Sequence, residues 1–169
     1  MIAEILQDAI FAAIAATGFA AISHPPGRAY WACALTAAIG HSLRFILTNV
    51  ISQPLHIVPA TLIAALVVGL LAVFLSPVTR TPAETGLFPA LLPMIPGIYA
   101  YKAFGGLAMS ILSATPEAFD HYHSLFASNG LTCLAILLSL TIGGTIPIFA
   151  FKNISFHATR TRPLDIKNS

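Results

Sequence analysis

His41 and Arg44 are ionisable residues that lie three positions apart in an apolar stretch, residues 30–50, which is long enough to cross a membrane as a helix. Residues at this spacing share one face of a helix. An ionisable side chain at membrane depth costs roughly 2.5–3.5 kcal/mol on insertion scales, so it faces a partner or a pathway rather than lipid. A guanidinium suits a carboxylate ligand, and an imidazole suits proton transfer. This face therefore predicts a site that handles an anion, a proton or both.

Both residues also have structural interpretations, which the sequence leaves open. Asp8 lies toward the same end of the first apolar stretch as Arg44 does in the second, so antiparallel helices would bring the two to a similar depth. A structural Asp8–Arg44 ion pair is the leading alternative for Arg44, and snorkelling toward the interface is another. For His41 the alternative is a hydrogen-bonded packing residue.

A second candidate element is the segment 87–112, which contains Pro93, Pro96 and Gly97. A helix cannot run straight through these prolines, because they remove donors and clash with the preceding turn. We predict a broken helix near Pro96, whose second half would present the free N–H groups of residues 97–99 and a positive dipole end to a substrate. Lys102 follows within two turns and adds a cation. The alternative is a structural helix with a proline kink.

The composition indicates that these residues are held by an all-α integral membrane protein. Of 169 residues, 57% are hydrophobic and 8% are charged, whereas a soluble domain carries roughly 25% charged residues. Five segments fit a span of roughly 20 apolar residues: 5–23, 30–50, 57–76, 87–112 and 131–151. We expect one transmembrane bundle over residues 1–152 and a polar cytoplasmic tail over 153–169. Whether residues 116–128 form a separate helix or extend the last span stays open.

The distribution of Lys and Arg predicts the orientation of the bundle. With five spans, the end that holds the N-terminus and the segments 49–56 and 113–130 has no Lys or Arg. The opposite end has six, and cytoplasmic loops are the ones enriched in these residues. The N-terminus is therefore predicted outside and the C-terminus in the cytoplasm. The six residues are Arg28, Arg80, Lys152, Arg160, Arg162 and Lys167.

The sequence contains no constellation that indicates an enzyme. It has no nucleophile elbow, no His-Glu-x-x-His motif, no phosphate-binding loop and no paired carboxylates at membrane depth. Residues 120–123 (DHYH) are too few to predict a metal site, and we read them as a solvated loop. The net charge of +2 is a topology signal and does not indicate nucleic-acid binding. We predict no cofactor and no metal.

Two motifs resemble the short subunit of the threonine/serine exporter family. Residues 38–44 (AIGHSLR), which follow PGRA at 26–29, look like the second span of that subunit. Residues 92–101 (LPMIPGIYAY) look like its broken segment. The positions that the resemblance implies are Gly40, His41, Arg44, Pro93, Pro96, Gly97 and Tyr101, whereas Lys102 follows the matched motif and depends on its predicted depth alone.

The resemblance implies a transport function. Members of the family export small carboxylates such as threonine and serine with an ion gradient, some as one long chain and others as two. The chain is therefore expected to be the shorter subunit of an exporter in the bacterial inner membrane and to work with a larger multi-span partner. One alternative is a dicarboxylate exporter, since three cations near one site would suit a succinate-like dianion. The other is a scaffold that stabilises a partner protein without transporting anything.

Overall fold

The fold is a bundle of α-helices joined by short loops, and the computed structural model describes residues 2–51 and 53–155. The helices are α1 (Ile2–Ile22), α2 (Tyr30–Asn49), α3 (Ile57–Thr79), α4 (Ala83–Leu91), α5 (Gly97–Ile111), α6 (Pro116–Ala150) and α7 (Lys152–Ser155). Short 3₁₀ turns precede α2, at Gly27–Ala29, and follow α4, at Leu92–Met94. No β-strand occurs within the described ranges. The predicted all-α fold class is confirmed.

Four helices are long and apolar enough to cross a membrane: α1, α2, α3 and α6. The segment from α4 to Met94 and helix α5 pass the same test as a pair, with a bend of 49° between them, and the pair brings the number of candidate spans to five. The predicted broken helix is thereby confirmed. The orientation of the bundle stays a prediction. Of the predicted tail, residues 156–169 lie outside the described residues, and residues 153–155 belong to α7.

Small residues let the central helices approach one another closely. Helix α3 packs against α2, α4 and α6, and its buried face is built mainly from alanine, glycine, serine and threonine. A Cβ atom at Gly69 would lie 2.7 Å from the Gly144 carbonyl oxygen, and one at Gly143 would lie 2.8 Å from the Ala65 side chain. In lipid, close packing of this kind replaces the hydrophobic effect as the force between helices.

The break between α4 and α5 is a tight turn centred on Pro96. The Gly97 N–H donates to the Ile95 carbonyl oxygen over 2.8 Å, and Pro96 has φ −79° and ψ 58°. These values are those of an inverse γ-turn. Ile95 is extended, with φ −59° and ψ 133°, because a residue before proline is excluded from the helical region. The turn interrupts the helical ladder and leaves carbonyl groups before it without their usual donors.

Helices α5 and α6 form a hairpin whose packing differs from that of the other helices. Helix α5 packs chiefly against α6. Helix α6 has 35 residues and is about 52 Å long, against about 30 Å of hydrocarbon in a bilayer. All of its fully buried residues lie from Ile136 onward. We call α5 with residues 116–135 the arm, and α1–α4 with residues 136–150 the bundle.

The arm settles the question that the sequence left open about residues 116–128. They continue directly into the last span as one helix, which begins at Pro116 after the Thr115 cap. The prediction of a solvated loop at residues 120–123 was wrong, because these residues lie within α6. An N-cap threonine followed by proline and an acidic residue starts a helix, and here nothing stops it before the membrane segment.

Candidate functional site

Three ionisable side chains and the break meet in one cluster, which we call the Asp8–His41–Arg44 cluster. Asp8 comes from α1, and His41 and Arg44 come from one face of α2. The His41 Nδ1 atom lies 2.8 Å from Asp8 Oδ2. An Arg44 Nη1–H donates to the Met94 carbonyl oxygen over 2.9 Å, and Arg44 Nη2 lies 3.2 Å from His41 Nε2. The expected convergence of α2 with the broken segment is therefore present.

The break explains why this cluster forms where it does. In an uninterrupted helix the carbonyls of Pro93 and Met94 would accept from residues 97 and 98, but the Gly97 N–H bonds to Ile95 instead. Non-helical backbone at membrane depth is tolerated only when neighbouring groups satisfy its polar atoms. Here His41 lies 3.2 Å from the Pro93 carbonyl oxygen, and Arg44 donates to Met94. The cluster thus braces the break.

His41 Nε2 is placed between two groups that it cannot satisfy in the same protonation state. It lies 3.2 Å from the Pro93 carbonyl oxygen and 3.2 Å from Arg44 Nη2. A neutral His41 that donates from Nδ1 to Asp8 has a lone pair on Nε2, which accepts from Arg44. A protonated His41 donates from both nitrogens, to Asp8 and to Pro93, and then offers Arg44 no acceptor. The proton on one ring nitrogen therefore selects the partner.

Arg44 keeps hydrogen-bonding capacity beyond these contacts. A guanidinium has five N–H donors. Two of them point at Met94 and His41, and the other three have no acceptor among the residues that the structure describes. The Arg44 side chain is half-buried, and the side chains of His41 and Asp8 are 16% and 25% exposed. A planar carboxylate could therefore approach the free side of the guanidinium from a partly open position.

The contact that Asp8 makes differs from the Asp8–Arg44 pair suggested by the sequence. Instead of pairing directly with Arg44, its carboxylate pairs with His41, and His41 lies between the two. Depth alone suggested the Asp8–Arg44 pair, but the rotational position of His41 on α2 decides which cation is nearest. The contribution of Met94 was also missed. A helix break frees the carbonyls before it, and that rule could have identified Pro93 and Met94 as acceptors.

The other predicted site residues divide between the break and the arm. Pro96 and Gly97 build the turn, and Gly97 is not a free donor because its N–H is bonded. Within the described residues the N–H groups of Ile98 and Tyr99 have no hydrogen-bond acceptor, as expected for the first turn of a helix. Tyr101 is 80% exposed on α5, and Lys102 is exposed beside it. Neither contacts the cluster through a hydrogen bond within the described part of the chain.

Gly40 is buried on α2 next to the cluster. A Cβ atom there would collide with the Val68 side chain of α3 and would lie 3.9 Å from the Met94 sulfur. The absence of a side chain at Gly40 thus lets α2 lie close to α3 and to the segment before the break. Across residues 2–51 and 53–155, no group of three or more His, Cys, Asp or Glu side chains is arranged to hold a metal ion.

Comparison with known proteins identifies a family for this chain. A family model described as "Threonine/Serine exporter, ThrE" matches residues 8–150, a range that includes the whole cluster. A curated relative, an uncharacterized protein from Haemophilus influenzae, is 35% identical over 144 residues, which cover 85% of this chain and 48% of the relative. The chain thus spans about half the length of that relative. No solved structure matches the chain.

Proposed function

Because the chain belongs to the threonine/serine exporter (ThrE) family, we propose that it is one subunit of an exporter for small hydrophilic carboxylates in the bacterial inner membrane. In this proposal an ion gradient drives transport, and a larger multi-span subunit completes the pathway. The observation that carries the proposal is the position of Arg44, which is fixed at the helix break by the Met94 carbonyl while three of its N–H donors have no acceptor within the described part of the chain.

The proposed substrate contact is a bidentate one between a carboxylate and Arg44. The free N–H groups of Ile98 and Tyr99 at the start of α5 would add donors and the positive end of a helix dipole. A site at a helix break is also the place where a bend can change. Alternating access would then consist of a change in the 49° angle between the α4–Met94 segment and α5. The cluster would keep its place in the bundle while the angle at Pro96 changes.

His41 is proposed to link a proton to the position of Arg44. The charged groups that face it are Asp8 on α1 and Arg44 on its own helix, together with the Pro93 carbonyl before the break. Protonation would strengthen the contacts to Asp8 and Pro93 and would place a second cation beside Arg44. The guanidinium would then leave His41 and become available to a carboxylate or to a second conformation of the break.

His41→Gln tests this link, because an amide keeps the hydrogen-bonding capacity of the imidazole but cannot carry its proton. We expect normal abundance of the variant in the membrane and efflux that no longer moves protons with the substrate. The measurement is the internal pH change that accompanies efflux from substrate-loaded vesicles. Proton movement equal to that of the wild type would exclude His41 as the coupling residue.

A dicarboxylate is the second candidate substrate, and one observation favours it. The Asp8 carboxylate already pairs with His41, so the cluster contributes no unpaired acid for the ammonium group of an amino acid. Competition separates the two substrate classes: a succinate-like compound would block efflux through a dicarboxylate site, whereas threonine would block an amino-acid site. The partner subunit must supply the acid if threonine competes.

The transport proposal is tested by efflux from loaded cells. Cells with this chain and its partner should release threonine, serine or a dicarboxylate faster than cells that lack the chain. Unchanged efflux of every such compound would defeat the proposal. A scaffold that only stabilises its partner predicts instead that loss of this chain lowers the amount of partner without changing flux per remaining complex.

A further inference from the structure

Lys102 on the outer face of the arm is a cation that has no partner among the described residues. It is exposed, and it forms no hydrogen bond or ion pair with the residues that the structure describes. It shares an exposed helical stripe with Ile98, Tyr101 and Gly105, which follow one another at spacings of three and four residues. Ile98 and Tyr101 are 71% and 80% exposed. A lone lysine among apolar residues is a costly surface to present to lipid.

Two neighbouring glycines show which side of α5 is already occupied. A Cβ atom at Gly106 would lie 2.7 Å from the Phe126 backbone nitrogen, so this side is packed tightly against α6. A Cβ atom at Gly105 would meet nothing within 4 Å. Glycine on an exposed stripe gives a second helix room to approach the backbone closely. The side of α5 that holds Lys102 is therefore open and shaped for a helix.

The arm also contains an unfilled apolar groove between α5 and α6. Its volume is about 430 Å³, enough for several side chains. The groove is lined by apolar residues, including Ala100, Ala103, Phe104, Phe126, Gly130 and Leu134. The groove opens on the face of α5 that holds Ala100, Ala103 and Phe104, which lies across the helix from the Lys102 stripe, so it is a separate surface.

The chain's own acids in the arm do not neutralise Lys102. Glu117 and Asp120 are near the start of α6, whereas Ala103, next to Lys102, lies at the level of Gly130. The ten positions between Asp120 and Gly130 correspond to about 15 Å along a helix. The relative from Haemophilus influenzae is about twice as long as the region that matches this chain. It therefore contains a further segment of similar length, fused to the part that corresponds to this chain.

From these observations we propose that the Lys102 stripe docks a membrane-spanning helix of the exporter's partner half, with a carboxylate of that helix placed against Lys102. The inference rests on the proposed function and identifies the surface through which the two halves meet. The partner's chemistry is set by the arm: an apolar helix face, an acid at the level of Lys102 and a close approach at Gly105.

Site-specific photo-crosslinking of the full chain in its native membrane tests the surface. A benzophenone side chain is placed at Tyr101, and a matched control is placed at Phe11 on α1, which is 60% exposed. We expect a crosslink from position 101 to an apolar segment that has Asp or Glu within one turn of the attached residue, and none of this product from position 11. Crosslinks only to lipid, or only to a second copy of this chain, would overturn the proposal.

Charge exchange tests the proposed contact between Lys102 and the partner's acid, and a pair of glycine variants tests the proposed close approach at Gly105. Lys102→Glu is expected to lower the crosslink yield about tenfold, which corresponds to about 1.4 kcal/mol, and reversal of the partner's acid to Lys is expected to restore it. Gly105→Leu should also lower the yield, whereas Gly18→Leu on α1, another glycine with open space around it, should not. Unchanged yield in Lys102→Glu and Gly105→Leu would contradict the proposal.

The outcome is separable from that of the transport proposal. His41→Gln and Arg44→Met change the cluster but leave the arm intact, so they should retain the crosslink whatever happens to efflux. A crosslink to the partner helix without any efflux would defeat the transport function and leave the docking surface in place. Efflux without the crosslink would defeat the docking surface and leave the transport function in place.

Discussion

The bundle and the arm each contain a cation in a candidate span, and the two cations are in opposite situations. Arg44 in the bundle is half-buried and bonded to Met94 and His41. Lys102 in the arm is exposed and has no partner within the described residues. A cation that is held in place by contacts within the chain indicates an internal site, whereas one with no such contact indicates a surface that another molecule completes.

Packing separates the two regions in the same way. Glycines at the centre of the bundle, such as Gly69 and Gly143, are pressed against neighbouring backbone or side chains, whereas Gly18 on the outer helix α1 is open. In the arm, Gly106 is pressed against α6 but Gly105 is open. The contacts of α3 with α6 in the bundle are therefore closely packed, whereas α5 in the arm keeps an open side.

The largest expected effect comes from overfilling the bundle. Gly143→Leu would force a side chain into Ala65 and the Leu62 backbone, both 2.8 Å from its Cβ position, and such overpacking costs up to about 3 kcal/mol. Gly105→Leu on the open side of the arm should cost little. Thermal unfolding in detergent measures the Tm of both variants. Equal Tm values would contradict the difference in packing between Gly143 in the bundle and Gly105 in the arm.

A smaller loss of stability is expected when Asp8 and His41 are replaced singly and together in a double-mutant cycle. Loss of one partner of a half-buried charged pair costs about 1–3 kcal/mol, so Asp8→Ala and His41→Ala should each destabilise the bundle. Because the two side chains are in contact, their effects should be coupled by at least about 0.5 kcal/mol.

A control cycle combines Arg44→Ala in the bundle with Lys102→Ala in the arm. Both cycles are measured as changes in the free energy of unfolding in detergent. Arg44 and Lys102 form no hydrogen bond with each other and share no such partner within the described residues, so their effects should add within about 0.5 kcal/mol. A large coupling between them would mean that Lys102 belongs to the cluster after all, as the sequence suggested.

The smallest effect is expected at the tip of the arm. The Thr115 hydroxyl accepts from the Ala118 N–H and caps α6, and replacement of such a cap by alanine costs about 1 kcal/mol. Thr115→Ala should raise amide hydrogen exchange in the first turns of α6 and leave exchange in α2 and α3 unchanged. Faster exchange throughout the bundle would show that the arm and the bundle unfold as one unit.

Much of the fold could be predicted from the sequence, because membrane spans follow from length and apolarity. The break at Pro96 was predicted because proline cannot continue the helical ladder. The continuity of α6 was not, since residues 116–128 carry both the signals of a helix start and those of a solvated segment. In the structure the start signals at Thr115 and Pro116 prevail, and the helix that they begin packs against α5.

The candidate site was predicted in part. The spacing of His41 and Arg44 placed them on one face, and their meeting with the broken segment followed from the cost of burying them. Sequence could not show that His41 lies between Asp8 and Arg44, because that depends on the rotation of α2 against α1. It also placed Lys102 in the site by depth, whereas the direction of its side chain depends on which face of α5 packs against α6.

The flux per assembled complex in Arg44→Met tests most directly whether carboxylates pass through the Asp8–His41–Arg44 cluster. Methionine keeps much of the length of the side chain but removes its charge and its donors, and Arg28→Met, at an exposed position outside the cluster, is the matched control. With the amount of assembled complex measured in the same membranes, we expect Arg44→Met to lose nearly all carboxylate efflux and Arg28→Met to retain it. Wild-type flux per complex in Arg44→Met would contradict the claim that carboxylates pass through this cluster.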